Sequence, residues 1–499
     1  MRFPACQFFC LVWLLIVTPL YASVRMPALF ADHMVIQRNE PVHVWGEADA
    51  GENVAVEFRG AQQTATADAN GQWSVQLAPG VAGGPFVLTV HGTNTVSLTD
   101  VMVGDVWIAS GQSNMGFSLR DAKDAQQEIA GASLKNIRLM NVKQRFAEYP
   151  LDDVAVTLRW SVCTPESAAG FSAVAFFFAR ELAQREHVPI GVIESSWGGT
   201  PAEAWTSLPA LSRDASLMPV FSAWSAMVEN EPQTLRDEAR ERKAAEEKAG
   251  TASDESLRLP WHPIFDSWAP GALFNGMIAP LTRFSIRGVI WYQGESNTDS
   301  LRSPVYERLF QTLIRDWRTA WSEGDFPFLF VQIANYRAGA GDGWPEVREA
   351  QRRALSLRNT AMAVTIDIGD PADIHPIDKQ DVGHRLALAA RALAYGEAVE
   401  YSGPLYRSMS TEGNTLHLYF DHVGGGLVSK GQPLQGFEIG GADGKFAPAS
   451  ASIEGATVVL TNPNVPDPSQ ARYGWADNPE CNLFNKDGLP ASPFHTTQP

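Results

Sequence analysis

Val106-Trp107-Ile108-Ala109-Ser110-Gly111-Gln112-Ser113-Asn114-Met115 begins as an apolar run and breaks at a glycine. The run has the length and composition of a strand buried on both faces. Gly111 allows a sharp turn, because it lacks the Cβ that closes many turn conformations to other residues. Two positions on, Ser113 stands where a helix would start, with its hydroxyl beside backbone N–H groups. A nucleophilic serine needs that setting. A serine there also serves as an ordinary helix cap, so the block alone leaves its role open.

Further apolar runs at 190–193, 289–292, 328–331 and 363–366 alternate with stretches of helical period at 171–186, 306–321, 347–357 and 381–395. This alternation predicts an α/β fold: a parallel sheet between two helical layers, spanning 101–400. Ligands of such sheets bind beyond the carboxyl ends of the strands. Three more polar blocks stand at those ends.

Ser195-Ser196-Trp197-Gly198-Gly199-Thr200 follows the run at 190–193. The glycines Gly198 and Gly199 let backbone N–H groups approach a reacting oxygen, although a plain connecting loop explains them equally well alone. Trp197 offers a face for a sugar ring or a piece of core. Gln293-Gly294-Glu295-Ser296-Asn297 follows the run at 289–292. Gln293 and Asn297 are both amides able to donate to an oxyanion, and Glu295 could orient them or meet a substrate. The simpler alternative is a loop that ties the sheet edge together. Asp370-Pro371-Ala372-Asp373-Ile374-His375-Pro376 follows the run at 363–366. A serine hydroxyl needs a base to take its proton, and the base needs a partner to hold its tautomer. His375 stands past a strand end with two aspartates upstream, which ranks it above its rival His384 on the next helix.

The chain of 499 residues is 45% hydrophobic and 19% charged, enough for a sizeable core and two or three domains. Its net charge of −17, with no basic stripe, excludes nucleic acid and anionic membranes as partners. Residues 23–100 carry short alternating runs and hairpin chemistry, such as Ala69-Asn70-Gly71 before Gln72-Trp73-Ser74-Val75, and predict a small β-sandwich. Residues 401–499 return to short strands and predict a small β region packed on the α/β unit. The stretch 229–258 is dense in Glu, Lys, Arg and Ala and reads as a solvated helical insertion, a surface helix before a lid. Met1-Arg2, an apolar run at 8–17 and Ala22 predict a signal peptide over 1–22, hence a periplasmic or secreted protein free of the membrane after cleavage. The apolar run is short for a membrane span. Cys163 and Cys481 remain after cleavage and either pair or stay thiols. The chain has no CxxC and no zinc-type cluster, so no metal is expected.

The four blocks together resemble the SGNH hydrolase superfamily, and more narrowly the sialate O-acetylesterase-like carbohydrate esterases. Gly111 to Met115, Trp197-Gly198-Gly199-Thr200-Pro201-Ala202-Glu203-Ala204-Trp205, Trp291 to Asn297 and Asp373 to Pro376 match the family's blocks in order. Gly271-Ala272-Leu273-Phe274-Asn275-Gly276-Met277-Ile278-Ala279-Pro280-Leu281 and Gly488-Leu489-Pro490-Ala491-Ser492-Pro493-Phe494 are also similar. The resemblance implies an SGNH-type fold with flanking small β domains. It implies Ser113 as nucleophile, His375 as base, and oxyanion donors from the Ser113 N–H, the Gly198/Gly199 block and an amide. The superfamily amide is an Asn; here Gln293 ranks first and Asn297 second. The superfamily acid stands three residues before the His, where this chain has Ala372. Asp373 therefore ranks first as the triad acid and Asp370 second. The implied reaction is hydrolysis of acetyl esters on a sugar through an acyl-enzyme, with no cofactor. The implied substrate is an acetylated sugar or glycan: sialic acid first, xylan or another plant polysaccharide second. Trp197 and Glu295 are the expected substrate contacts. The reading from another class is a carbohydrate-binding protein with a decayed site; loss of Ser113 or His375 would be its mark, and both are present.

Overall fold

The computed structural model describes residues 23–230, 265–339 and 341–496. The segment read as a signal peptide, and all of the expected insertion beyond residue 230, lie outside the described residues.

The central sheet has seven strands: β1 (Thr95–Gly111), β2 (Leu134–Val142), β3 (Val156–Cys163), β4 (Ile190–Ser196), β5 (Gly288–Tyr292), β6 (Phe328–Val331) and β7 (Thr360–Ala363). Their order is β7-β6-β5-β1-β4-β2-β3, parallel throughout except for β3, which runs antiparallel to β2 at the edge. From β1 the chain first lays down β2 and β3, fills the gap beside β1 with β4, and then crosses over to build β5, β6 and β7 on the other side. The switch lies beside β1, where open α/β sheets place their ligands.

Alternation along the strands explains the three layers. Val106 and Ile108 of β1 face one core with Val289, Trp291, Phe328 and Phe330; Trp107 and Ala109 face the other with Val192, Ile290 and Leu329. Helices α2 (Tyr306–Trp321) and α3 (Trp344–Ala354) cover the first face. Helices α1 (Ala173–Glu186) and α4 (Lys379–Leu393) cover the second. Helix α1 starts at Ala173, not at 171, because the Ser172 hydroxyl caps the turn by accepting the Ala175 N–H at 3.1 Å. Strand β7 ends at Ala363, three residues before the apolar run does. Val364 and Ile366 stay buried outside the sheet, and the Thr365 hydroxyl donates to the Gln332 carbonyl at 2.6 Å. The loop carrying His375 starts there.

Strand β1 is 17 residues long and crosses the boundary expected near residue 100. Its first half pairs antiparallel with Gly83–His91 and its middle pairs parallel with Val35–Gln37; its second half is the centre of the α/β sheet. Arg38 clamps it by donating from Nε and Nη2 to the two oxygens of buried Asp105, each at 2.9 Å. The N-terminal region adds a Val42–Glu47/Gln72–Leu77 ladder and strands Asn53–Phe58 and Ala61–Thr66. The C-terminal region has a four-stranded antiparallel sheet of Leu405–Glu412, Thr415–Asp421, Thr457–Thr461 and Ser450–Glu454 with its own core. Fully buried Arg348 of α3 ties that region down by donating to the carbonyls of Ile333, Ala334, Ala476 and Asp477 at 2.6–3.0 Å. Cys163 and Cys481 are both free thiols; the Cys163 Sγ–H donates to the Ala132 carbonyl at 3.3 Å.

Candidate active site

Register brings the polar blocks together. Gly111 on β1 pairs with Ser196 on β4 and with Tyr292 on β5, so three strands end at one level. The turns that follow them therefore lie side by side. The Gln112 N–H donates to the Tyr292 carbonyl at 2.9 Å, and the Trp197 N–H donates to the Gly111 carbonyl at 3.1 Å. Gly111 has φ +137°, and a Cβ there would stand 2.1 Å from the Tyr292 carbonyl oxygen. Only glycine fits this close approach. The turn closes as Met115 and Gly116 both donate to the Gln112 carbonyl at 3.0 Å, leaving Ser113 half-buried at its tip.

The loop after β7 carries His375 over the sheet. Its Nε2 lies 2.8 Å from Ser113 Oγ. Burial holds the His375 pKa below its usual 6.5, with the nearby Lys379 ammonium acting in the same direction and Asp373 opposing both. The ring is therefore neutral at pH 7 and able to accept a proton. Asp373 Oδ1 accepts the His375 backbone N–H at 2.8 Å and lies 3.6 Å from His375 Nδ1. The second distance is too long for a hydrogen bond, and the Asp373 side chain is 60% exposed. Asp370 instead accepts the Ala372 N–H at 2.8 Å. His384 sits exposed on α4 with its Nδ1 2.7 Å from a Glu181 oxygen, away from the serine.

Gly198 faces Ser113 across the turn; a Cβ at Gly198 would lie 3.2 Å from the Ser113 Cβ. Among the described residues, no acceptor takes the backbone N–H of Ser113, Gly198 or Gly199. The two amides differ from expectation. Gln293 ranks first from sequence as an oxyanion donor, but both hydrogens of its Nε2 are engaged, by the Thr200 carbonyl at 3.2 Å and Asn297 Oδ1 at 2.6 Å. Asn297 in turn donates to Glu203 at 2.8 Å and accepts the Ala202 N–H at 2.9 Å. Both are fully buried and knit the second and third blocks together. Their satisfied partners, and not an open site, fix their positions.

Glu295, expected as a substrate contact, is buried. It is 8% exposed, and its Oε1 accepts from Asn114 Nδ2 at 2.7 Å. Trp197 is half-buried and lines an open cleft of about 590 Å³ together with Ser113, Asn141, Gln144, Glu194 and Ser196. Trp205 is core: it is fully buried, its Nε1 donates to the Thr200 hydroxyl at 2.9 Å, and its ring meets Trp291 edge-on.

Three residues at the site are not singled out by the sequence. Asn114 sits inside the nucleophile block but gives no sign of its partners. Lys379 stands two residues before the helical period expected at 381–395, yet it is fully buried. Glu194 is an acid ending an otherwise apolar strand, and that break in pattern could have marked it. It is buried on the cleft floor, where Ser196 Oγ and Asn141 Nδ2 donate to it, and burial raises its pKa to about 7.

The chain has relatives along most of its length. The family described as "Carbohydrate esterase, sialic acid-specific acetylesterase" matches residues 262–392. The human sialate O-acetylesterase is 32% identical, covering 94% of this chain and 92% of its own. The rat sialate O-acetylesterase is 30% identical over 94% of this chain and 93% of its own. A crystal structure of a carbohydrate acetylesterase from Xanthomonas citri superposes with a TM-score of 0.82 at 39% identity, covering 95% of this chain and all of that one. Matches of this length take in the flanking β regions as well as the sheet. The chain belongs to the sialate O-acetylesterase family of carbohydrate esterases.

Proposed function

We propose that the protein is a carbohydrate O-acetylesterase that works through an acetyl-enzyme on Ser113. The 2.8 Å contact between Ser113 Oγ and His375 Nε2 carries this reading. With the ring hydrogen on Nδ1, the serine hydroxyl donates to Nε2. As Oγ attacks the acetyl carbonyl, its proton passes to Nε2. The carbonyl π electrons move onto oxygen, where the N–H groups of Ser113 and Gly198 stabilise the charge. Collapse of the tetrahedral intermediate breaks the bond to the sugar oxygen, which takes the proton from His375. Water, deprotonated by the same ring, then releases acetate from the serine. Asp373 is the acid of this set and supports the imidazolium from 3.6 Å.

The sugar enters by the cleft beside Ser113, where Trp197 offers an apolar face and Asn141, Gln144 and Ser196 offer polar groups. Acetylated sialic acid is the first substrate and acetylated xylan the second. The 1–22 segment directs export to the periplasm or the medium. N-terminal sequencing of the mature protein is then expected to begin at Ser23, and a retained Met1 would contradict cleavage.

The test is acetate release from both substrates, with Ser113→Ala as control. Release from acetylated sialic acid, abolished in the variant, supports the reading. Release from xylan alone keeps the chemistry and changes the sugar. No release from either, nor from a small aryl acetate, overturns the proposal and leaves glycan binding as the function.

A further inference from the structure

Beneath the Ser113 turn lies a buried polar cluster that the proposed reaction does not use. The Asn114 side chain is held on every side. Its Oδ1 accepts from Lys379 Nζ at 2.6 Å, and its Nδ2 donates to Glu295 Oε1 at 2.7 Å and to the Ile374 carbonyl at 3.0 Å. Ile374 immediately precedes His375. One amide thus links the nucleophile turn, the third block and the loop of the base.

The cluster has only one orientation that satisfies it. A backbone carbonyl only accepts, and the Lys379 amino group carries hydrogens to donate whether charged or neutral. The amide oxygen must therefore face Lys379 and the amide nitrogen must face Ile374. Lys379 is fully buried, with its Nζ 4.7 Å from the centre of the Phe117 ring and 5.5 Å from that of Tyr292. The Phe117 ring stacks in turn toward His375, at 6.5 Å and 28°. The charged groups acting on the ammonium are Glu295, Asp373 and Asp378, and burial lowers its pKa to about 7. A buried ammonium is costly unless closely partnered, and its partner here is the residue next to the nucleophile.

We propose that Lys379 is a positioning residue, whose amino group donates to the Asn114 amide and so locks the Ser113 turn to the loop that carries His375. It touches neither reacting atom. Without it the amide oxygen loses the donor that anchors it, the tie to Ile374 loosens, and the 2.8 Å contact between Oγ and Nε2 is no longer enforced. The inference rests on Ser113 and His375 acting as nucleophile and base.

The test compares wild type with Lys379→Met and with the double variant Lys379→Met, Glu295→Gln. The double variant removes both buried charges together and so guards against a variant that fails to fold. The first readout is the rate at which an alkyl fluorophosphonate labels Ser113, followed by intact mass. The second is kcat and KM on a small aryl acetate. Both variants are expected to label at least tenfold more slowly, with kcat reduced alike, KM within twofold and the melting temperature of the double variant near wild type. Labelling and kcat within twofold of wild type in a folded variant overturn the proposal, as does a change confined to KM. If wild-type Ser113 labels but no acetylated sugar is hydrolysed, the substrate reading fails and the positioning role stands. If wild-type Ser113 does not label, both fail.

Discussion

Ser113 and His375 are 262 residues apart in sequence and in contact in the fold, but Asp373, the acid proposed to complete the set, is loosely held. Asp373 is exposed and 3.6 Å from the ring nitrogen it would support. Exposed charges interact weakly through water. Asp373→Asn is therefore expected to lower kcat by about tenfold or less, far below the roughly 10⁴-fold cost of a fully buried triad acid. The pH profile gives a sharper check. His375 must be neutral to act as base, so kcat/KM rises with pH through its pKa, which burial places below 6.5. Asp373 raises that pKa, so its removal moves the acid limb to lower pH. A limb that moves to higher pH, or a loss near 10⁴-fold, would contradict this assignment. At this scale the sequence is only partly legible. Ser113 and His375 are readable because their residue types and their places past strand ends agree. Gln293 and Glu295 are less legible, because an amide or carboxylate looks the same in sequence whether it faces a cleft or a buried partner. The partner that commits Glu295 is Asn114, 181 residues away.

The turn after β1 is the element on which the site depends. Gly111 combines a positive φ with a backbone approach that leaves no room for a Cβ. Gly111→Ala is expected to destabilise the protein by about 2–4 kcal/mol, measured by urea unfolding, and to abolish activity in the fraction that remains folded. A folded and fully active variant would show that the turn tolerates a side chain. Element identity is legible here for a physical reason. Strands buried on both faces are continuous apolar runs, and the helical period at 306–321 coincides with the limits of α2. Strands β2 and β3 escape the pattern: they are the last two strands at one side of the sheet, their pairing with each other is broken by register shifts, and their polar residues mask the period. The apolar run places the end of β7 three residues late, because Val364 and Ile366 are buried without being in the sheet and hydropathy does not separate the two.

At the scale of the whole molecule, β1 joins the N-terminal region to the α/β sheet as one continuous strand. What covers the strand changes near residue 100, and the strand runs on through Asp100, whose φ is +52°. Asp105 holds the join from within: it is 1% exposed, takes two hydrogen bonds from Arg38, and also accepts from the Tyr395 hydroxyl at 3.0 Å. Asp105→Ala is expected to cost about 3 kcal/mol in denaturant unfolding, because it leaves Arg38 and Tyr395 without their acceptor. A cost below about 1 kcal/mol, the range of a surface pair, would show that strand pairing alone maintains the join.

The most direct test of the account is to find where the acetyl group goes. Wild-type protein and Ser113→Ala would each be mixed with an acetylated sugar, quenched in acid, digested and analysed by mass spectrometry. The account predicts one acetyl group, on Ser113 of the wild type and absent from the variant. Acetylation at another residue, or undiminished acetate release by Ser113→Ala, would contradict it.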